Sequence, residues 1–501
     1  MISRALAVVL AGVGITVACS NRPEGTIADD DGNDTPRGGN APIAGKGGGA
    51  GTPQAGTSGG GAGGSLGGAS GGGSGGTSAG TAGTNAGTAG SSGSAGTGGS
   101  AGSAGTAGAS GSSGAAGTAG TGPIYEPGPP YDFPQGYRSS HCTYPTGADP
   151  ELARAAFQRW KTELVTADGA GENLRVRRPN NEGDTTVSEG IGYGMIFAVV
   201  FDEQDMFDKF WKYSQGRLNQ NGLMNWKVDP SGNVPMDGGG AATDADEDMA
   251  WALLLADKKW GGSGSLGMPY IDVAKGQIQK IWDHEVDHGR GELLLAGDSW
   301  GTVVTHNPSY FAPNQYRWFA QVTGQMGWNT VIDKNYAVLM STLKSEFGNQ
   351  DNGLVPAWTD PDGRPMAPFN GAPTHYQYDS ARIPFRIAQD YCDFGEPRAK
   401  EYLDKISNFF QGVGADMIVD GYDLNGMPRA ENPLPAQSAL FVGAAGVGAM
   451  SDASRLPFVD ATYQLLVGKE MLPPSYYFNL SWQVFALLMM TGNLYDYSLV
   501  P

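Results

Sequence analysis

What most constrains this chain is an alternation. From Asp149 onward, two kinds of helical pattern follow one another twelve times. One kind is one-sided. Asp149-Pro150 reads as an N-cap with proline at the first helical position, and Leu152, Ala156, Trp160 and Leu164 then recur at a four-residue step. Similar segments lie near 204–218, 269–286, 327–347, 396–412 and 454–468. The other kind is apolar almost all round, at 192–201, 247–260, 314–324, 379–391, 437–450 and 481–492. A helix apolar all round must be buried, and a one-sided helix must cover it. Six buried and six covering helices in strict alternation predict an inner ring inside an outer ring, an all-α (α/α)6 barrel. Strand signals are few and short (Leu293–Ala296, Thr302–Thr305), which argues against a sandwich or a TIM barrel.

The helical pattern occupies only part of the 501 residues. Between Gly38 and Gly122, 36 of 85 residues are glycine, and all 49 aromatic residues lie at or after Tyr125. The first quarter therefore cannot bury a core that offsets its backbone entropy. Residues 1–18 read as an export signal: a positive start (Met1–Arg4) precedes a short apolar run, Ala5–Ala18, too short to span a bilayer comfortably. The run ends at Cys19, and a small residue before cysteine resembles a bacterial lipoprotein processing site with Cys19 as the lipid attachment. The expected location is the cell surface, on the outer membrane, or secreted. Residues 19–124 read as a flexible Gly/Ala/Ser/Thr tether, and 125–501 as the folded domain.

Net charge is −19, of which about −18 falls after residue 124, and an acidic surface repels phosphate backbones, so nucleic acid is not an expected partner. Three cysteines exclude a disulfide scaffold and any Cys-rich zinc module. Cys142 and Cys392 could pair in an oxidising compartment, but sequence does not show whether they approach each other. Nothing demands more than a monomer.

Four motifs compete for the chemistry. His284-Glu285-Val286-Asp287-His288 fits H-E-x-x-H, yet Gly289 ends the helix and no third ligand follows, so no metal is expected. Gly297-Asp298-Ser299-Trp300-Gly301 fits G-x-S-x-G but lacks the strand-to-helix context of a nucleophile elbow; a loop presenting Trp300 to a ligand is the better reading. Ser188-Glu189-Gly190-Ile191-Gly192-Tyr193-Gly194-Met195 sets a carboxylate before a glycine-rich turn and an apolar helix, an environment that raises the pKa of an acid. Ala242 to Trp260 opens with Thr243, Asp244, Asp246 and Asp248, placing Asp244 at the expected barrel mouth; a calcium loop fails there, since Met249 and Leu255 occupy the positions that need Gly and Glu.

The last two segments are similar to the signatures of glycoside hydrolase family 8. Gly222-Leu223-Met224-Asn225-Trp226, Gly297–Gly301, Asn307-Pro308-Ser309-Tyr310-Phe311 and Tyr378-Asp379-Ser380-Ala381-Arg382 agree in order. The resemblance covers roughly 130–501 and implies an (α/α)6 barrel that hydrolyses β-1,4-linked polysaccharide with inversion and without a cofactor. Carried over, Glu189 is the general acid and Asp379 the general base, with Arg382 pairing with the base and keeping it ionised. Asp244 binds the sugar at the cleavage subsite, Tyr310 positions the water, and Trp226, Trp300 and neighbouring aromatics such as Tyr193 hold sugars. The Asp379 position implies cellulose or β-glucan as substrate. Xylan or chitosan on the same fold, or a silent carbohydrate-binding lipoprotein, are the alternatives.

Overall fold

All twelve expected helices form in the computed structural model, which describes residues 129–299, 305–368, 372–429, 437–468 and 476–500. The signal, the tether, Cys19 and Trp300 lie outside these residues, as does Thr302-Val303-Val304 of the second expected strand. The covering helices are α1 (Pro150–Leu164), α3 (Gln204–Gln215), α5 (Tyr270–His284), α7 (Gly327–Ser341), α10 (Pro397–Val413) and α12 (Leu456–Gly468). The buried ones are α2 (Ser188–Val200), α4 (Thr243–Trp260), α6 (Pro313–Thr323), α8 with α9 (Tyr378–Ala381, Ile383–Phe394), α11 (Ala439–Ala449) and α13 (Tyr476–Met490). One expected segment is thus broken in two. The break falls at Arg382, two residues before Pro384, which has no N–H with which to continue the helical ladder. The architecture is an (α/α)6 barrel.

Burial follows the expected alternation more closely than apolarity does. Helices α2 and α11 are apolar and buried on nearly every side. In contrast α4, α6 and α9 carry Asp246, Glu247, Asp248, Asn314, Gln315, Arg386 and Asp390 into the interior, each under 5% exposed. Several of these groups pair with side chains on neighbouring helices, as buried polar atoms favour. Gln315 Nε2 donates to Asp248 Oδ1 at 2.8 Å and the Tyr316 hydroxyl to Glu247 Oε2 at 2.6 Å, joining α6 to α4. On the other side the ring closes through apolar contact, with Tyr193 and Phe197 of α2 against Phe485 of α13 at 4.9 and 4.6 Å between centroids. Helix α2 also presses directly on α4: a Cβ on Gly192 would stand 3.0 Å from the Asp248 Cβ.

Each inner helix follows an outer helix that runs the other way, so the inner helices run parallel and their N-termini open at one end. The opposite end is closed by residues 129–148. Cys142 forms a disulfide with Cys392 near the end of α9, Cα to Cα 5.3 Å. Thr143 N–H donates to the Met450 carbonyl just past α11, and the Tyr131 hydroxyl to the Val500 carbonyl. Strands among the described residues are three two-residue pairs, one of them Val286–Asp287 with Leu293–Leu294.

Candidate active site

The second residue of three inner helices, and a tyrosine of a fourth, converge on one cleft. These are Glu189 of α2, Asp244 of α4, Asp379 of α8 and Tyr477 of α13. A helix N-terminus presents unpaired N–H groups and the positive end of the helix dipole, so carboxylates are favoured there even where burial opposes them. Trp226, Tyr310 and Arg382 also line the cleft, which opens to solvent. The Glu189 helix is held beside the Trp226 loop by a backbone bond from Ser188 N–H to the Trp226 carbonyl at 2.9 Å and by the Thr186–Val187 pairing with Lys227–Val228.

Arg382 is the node of the site. It is 1% exposed, and its Nη1 donates to Glu189 Oε2 at 2.8 Å and to Asp244 Oδ2 at 2.6 Å. Its Nη2 donates to Asp379 Oδ1 at 3.0 Å and to the Ser309 hydroxyl at 2.7 Å. Glu189 and Asp379 therefore sit on opposite nitrogens of one guanidinium, separated by its width and two hydrogen bonds. The second oxygen of each is also occupied: the Tyr477 hydroxyl donates to Glu189 Oε1 at 2.8 Å, and Gln377 Nε2 to Asp379 Oδ2 at 3.0 Å.

Burial dominates the electrostatics. It pushes Glu189 up to about 7, with Asp244 and Asp379 adding to the rise and Arg382 and Tyr477 opposing it. This is the raised acid that the apolar helix predicts. Asp244 is raised by burial against the pull of Arg382. Asp379 does not shift in the opposite direction. Arg382 and Gln377 favour its ionised form, but burial outweighs them and its pKa also rises. The physical reason is burial, since Asp379 is only 2% exposed.

Trp226 is half-buried in the cleft wall, its Nε1 donating to the Asp237 carbonyl at 3.0 Å. Tyr310 lies beneath Arg382, whose Cζ is 5.3 Å from the ring centre. Tyr193 does not line the cleft. It is 1% exposed behind Arg382, packed on Trp482 and Phe485, with its hydroxyl 3.4 Å from Nη1; its place on α2, one turn beyond Glu189, points it into the barrel core.

Among the described residues neither competing motif has the geometry of a zinc site or a nucleophile elbow. His284 ends α5, Glu285 leaves the helix, and His288 begins a separate turn with Nε2 on the Trp282 carbonyl at 2.9 Å, so the two histidines do not share a helical face. Among the described residues no cluster of three His, Cys, Asp or Glu side chains is arranged to hold a metal. Ser299 lies in an exposed turn, while its neighbour Asp298 accepts hydrogen bonds from Asn219, Asn221 and the Ala241 backbone.

Sequence reasoning missed Tyr477, Gln377 and the role of Ser309. Tyr477 stands four residues before the apolar run expected at 481–492. No motif marks it in the sequence; only the assembled ring brings it beside Glu189.

An inner ring of parallel helices with paired carboxyls and an arginine in its mouth is the construction of a glycoside hydrolase. Residues 139–492 match the family model for glycosyl hydrolases family 8, and the chain belongs to that family. Endoglucanase A of Acetivibrio thermocellus is 40% identical over 344 residues, covering 68% of this chain and 69% of that one. Endoglucanase C of Ruminiclostridium cellulolyticum is 38% identical over 383 residues, covering 74% and 79%. Among solved structures, a β-1,3-1,4-glucanase from Paenibacillus sp. X4 superposes with a TM-score of 0.66 at 29% identity, covering 73% of this chain and 99% of that one. A reducing-end-xylose-releasing exo-oligoxylanase shares the fold, with a TM-score of 0.59 at 22% identity.

Proposed function

We propose that the chain is an exported endo-β-1,4-glucanase that cleaves cellulose or β-glucan with inversion. The observation that carries this reading is the placement of Glu189 and Asp379 on opposite nitrogens of Arg382 in one cleft. Inverting hydrolysis needs two carboxyls about 6.5–9.5 Å apart, with room for a water between base and sugar. Glu189, raised to about 7, is protonated for much of the neutral range and gives its proton to the glycosidic oxygen. Asp379 takes a proton from the water that attacks the anomeric carbon from the opposite face. Arg382 supports the ionised form of the base, and Asp244 accepts hydrogen bonds from the sugar held between them. Tyr310 orients the water, and Trp226, with Trp300, offers ring faces on which sugars stack.

The endoglucanase names of the relatives and the Asp379 position favour glucan over xylan or chitosan. Export is favoured by the apolar Ala5–Ala18 run, by Cys19 and by the Cys142–Cys392 disulfide, which persists in oxidising compartments. In this reading residues 19–124 tether a catalytic domain of residues 125–501 to the lipid-anchored Cys19.

Reducing-end release by residues 123–501 on carboxymethylcellulose, barley β-glucan, xylan and chitosan tests the proposal, with Glu189→Gln as blank. Activity on the first two is expected. Activity on xylan or chitosan alone would move the specificity, and silence on all four would overturn the catalytic reading.

A further inference from the structure

Arg382 can only donate hydrogen bonds, whereas a tyrosine hydroxyl can donate or accept. This asymmetry decides where the proton on Glu189 sits. Oε2 faces Arg382 Nη1 at 2.8 Å and must remain an acceptor as long as that bond exists. The remaining oxygen, Oε1, faces the Tyr477 hydroxyl at 2.8 Å. We propose that Tyr477 is a positioning residue for the acid step: it stands beside Oε1, the oxygen that carries and delivers the proton, and donates a hydrogen bond to it once the proton has left. This rests on Glu189 being the general acid.

In the acid step the Oε1–H proton moves to the glycosidic oxygen, the bond from that oxygen to the anomeric carbon breaks, and the water activated by Asp379 forms the new bond. The negative charge left on Glu189 is then met by two donors, Arg382 at Oε2 and Tyr477 at Oε1. Tyr477 keeps its own proton throughout, because burial and the neighbouring Glu189 raise its pKa well above the ordinary value.

Two further features fix the place of the hydroxyl. Tyr477, on α13, is 1% exposed, so its ring is held by packing. Gly190, next to the acid, makes room for it: a Cβ there would stand 3.0 Å from the Tyr477 hydroxyl oxygen and 3.2 Å from its Cε2. The glycine after the acid therefore serves the contact between Tyr477 and Glu189.

The other groups around Glu189 are Asp244 from α4, Asp379 from α8, Arg382 from the α8–α9 junction, Tyr310 from the turn before α6, Arg178 from the segment before α2, and Tyr193 on its own helix. Changing Tyr477 to phenylalanine leaves all of these in place and keeps the ring. It removes one donor to the ionised acid, which favours the protonated form and raises the pKa.

The test is the pH dependence of kcat/KM on soluble β-glucan for wild type, Tyr477→Phe and Gly190→Ala, beside Glu189→Gln. The alkaline limb is expected to move to higher pH by about one unit in Tyr477→Phe, the worth of one hydrogen bond to a charged group. Gly190→Ala, which displaces the hydroxyl, is expected to shift the limb in the same direction. The limb position does not depend on how much of a variant is folded, so a merely structural defect leaves it unmoved. An unshifted limb in Tyr477→Phe, with Glu189→Gln inactive, would overturn the proposal. An active Glu189→Gln would instead overturn the assignment on which it rests.

Discussion

Arg386 and Asp248 form a two-pronged ion pair inside the barrel, Nη1 to Oδ1 at 2.6 Å and Nη2 to Oδ2 at 2.8 Å, both residues under 5% exposed. The pair lies four residues along each helix from Arg382 and Asp244, which are themselves joined at the mouth. The two rungs fix the register of α9 against α4, and with it the position of Arg382 among its three carboxyls. Removing one partner of a buried pair strands the other charge. Arg386→Met is therefore expected to destabilise the fold by about 3–5 kcal/mol in denaturant titrations. The double variant Arg386→Met with Asp248→Leu should recover most of that loss. A single variant within the error of wild type would show that the rung carries no such weight.

The acid step sets the alkaline side of the activity profile. Glu189 must be protonated to act, and burial lifts it to about 7, so kcat/KM on β-glucan is expected to fall as pH rises through about 7. Because kcat/KM reports the free enzyme, the unliganded geometry is the relevant one. Glu189→Gln should lose roughly 10²–10⁴-fold in activity, the usual worth of general acid catalysis, and should leave the unfolding transition intact. A wild-type plateau extending past pH 9 would contradict the raised acid.

How much of this is legible before the structure depends on what leaves a trace along the chain. Burial leaves one, and the twelve segments show it. The break at Arg382 is harder to see, because Pro384 reads equally well as an ordinary first-turn proline. Glu189 is legible because an apolar helix follows it directly. The raised Asp379 is not, since Arg382 one turn on points to an ionised base, and only the assembled ring shows how completely the carboxyl is buried. Part of the site is written twice. Asn219-Gln220 with Gly222-Leu223 and Asn349-Gln350 with Gly353-Leu354 each precede an Asp-Pro-x-Gly turn, at Asp229 and Asp360, and then an inner helix with an acid in second place. In both turns the aspartate N–H bonds the carbonyl four residues on, at 2.8 and 2.9 Å. That internal repeat relates Asp244 to Asp379 from the sequence alone.

Stability should carry its own pH signature at the closed end of the barrel. Asp496 is fully buried, its Oδ2 has no hydrogen-bond partner among the described residues, and burial lifts it to about 6. Between pH 4 and 6 the folded state then binds more protons than the unfolded chain, so this group's contribution to stability falls as pH rises across that window. Asp496→Asn is expected to raise stability by about 2–3 kcal/mol at pH 7, and by progressively less as pH falls to 4. Equal effects at pH 4 and pH 7 would contradict the burial account.

The disulfide secures the same end. Cys142–Cys392 joins positions 250 residues apart, tying the segment before α1 to α9. Cys142→Ser, or reduction, is expected to cost about 3–5 kcal/mol, read as a lowered Tm, with kcat unchanged at a temperature where the protein stays folded. A Tm insensitive to reduction would show that the floor is held by its hydrogen bonds and packing alone.

The central claim is that Glu189 and Asp379 act on opposite faces of the sugar. The most direct test is proton NMR of the first product released from a soluble β-glucan oligosaccharide, recorded before mutarotation. Direct attack by water activated at Asp379 inverts the anomeric centre, so the α-anomer is expected first. The β-anomer appearing first would mean a covalent intermediate, and would contradict the roles assigned to both carboxyls.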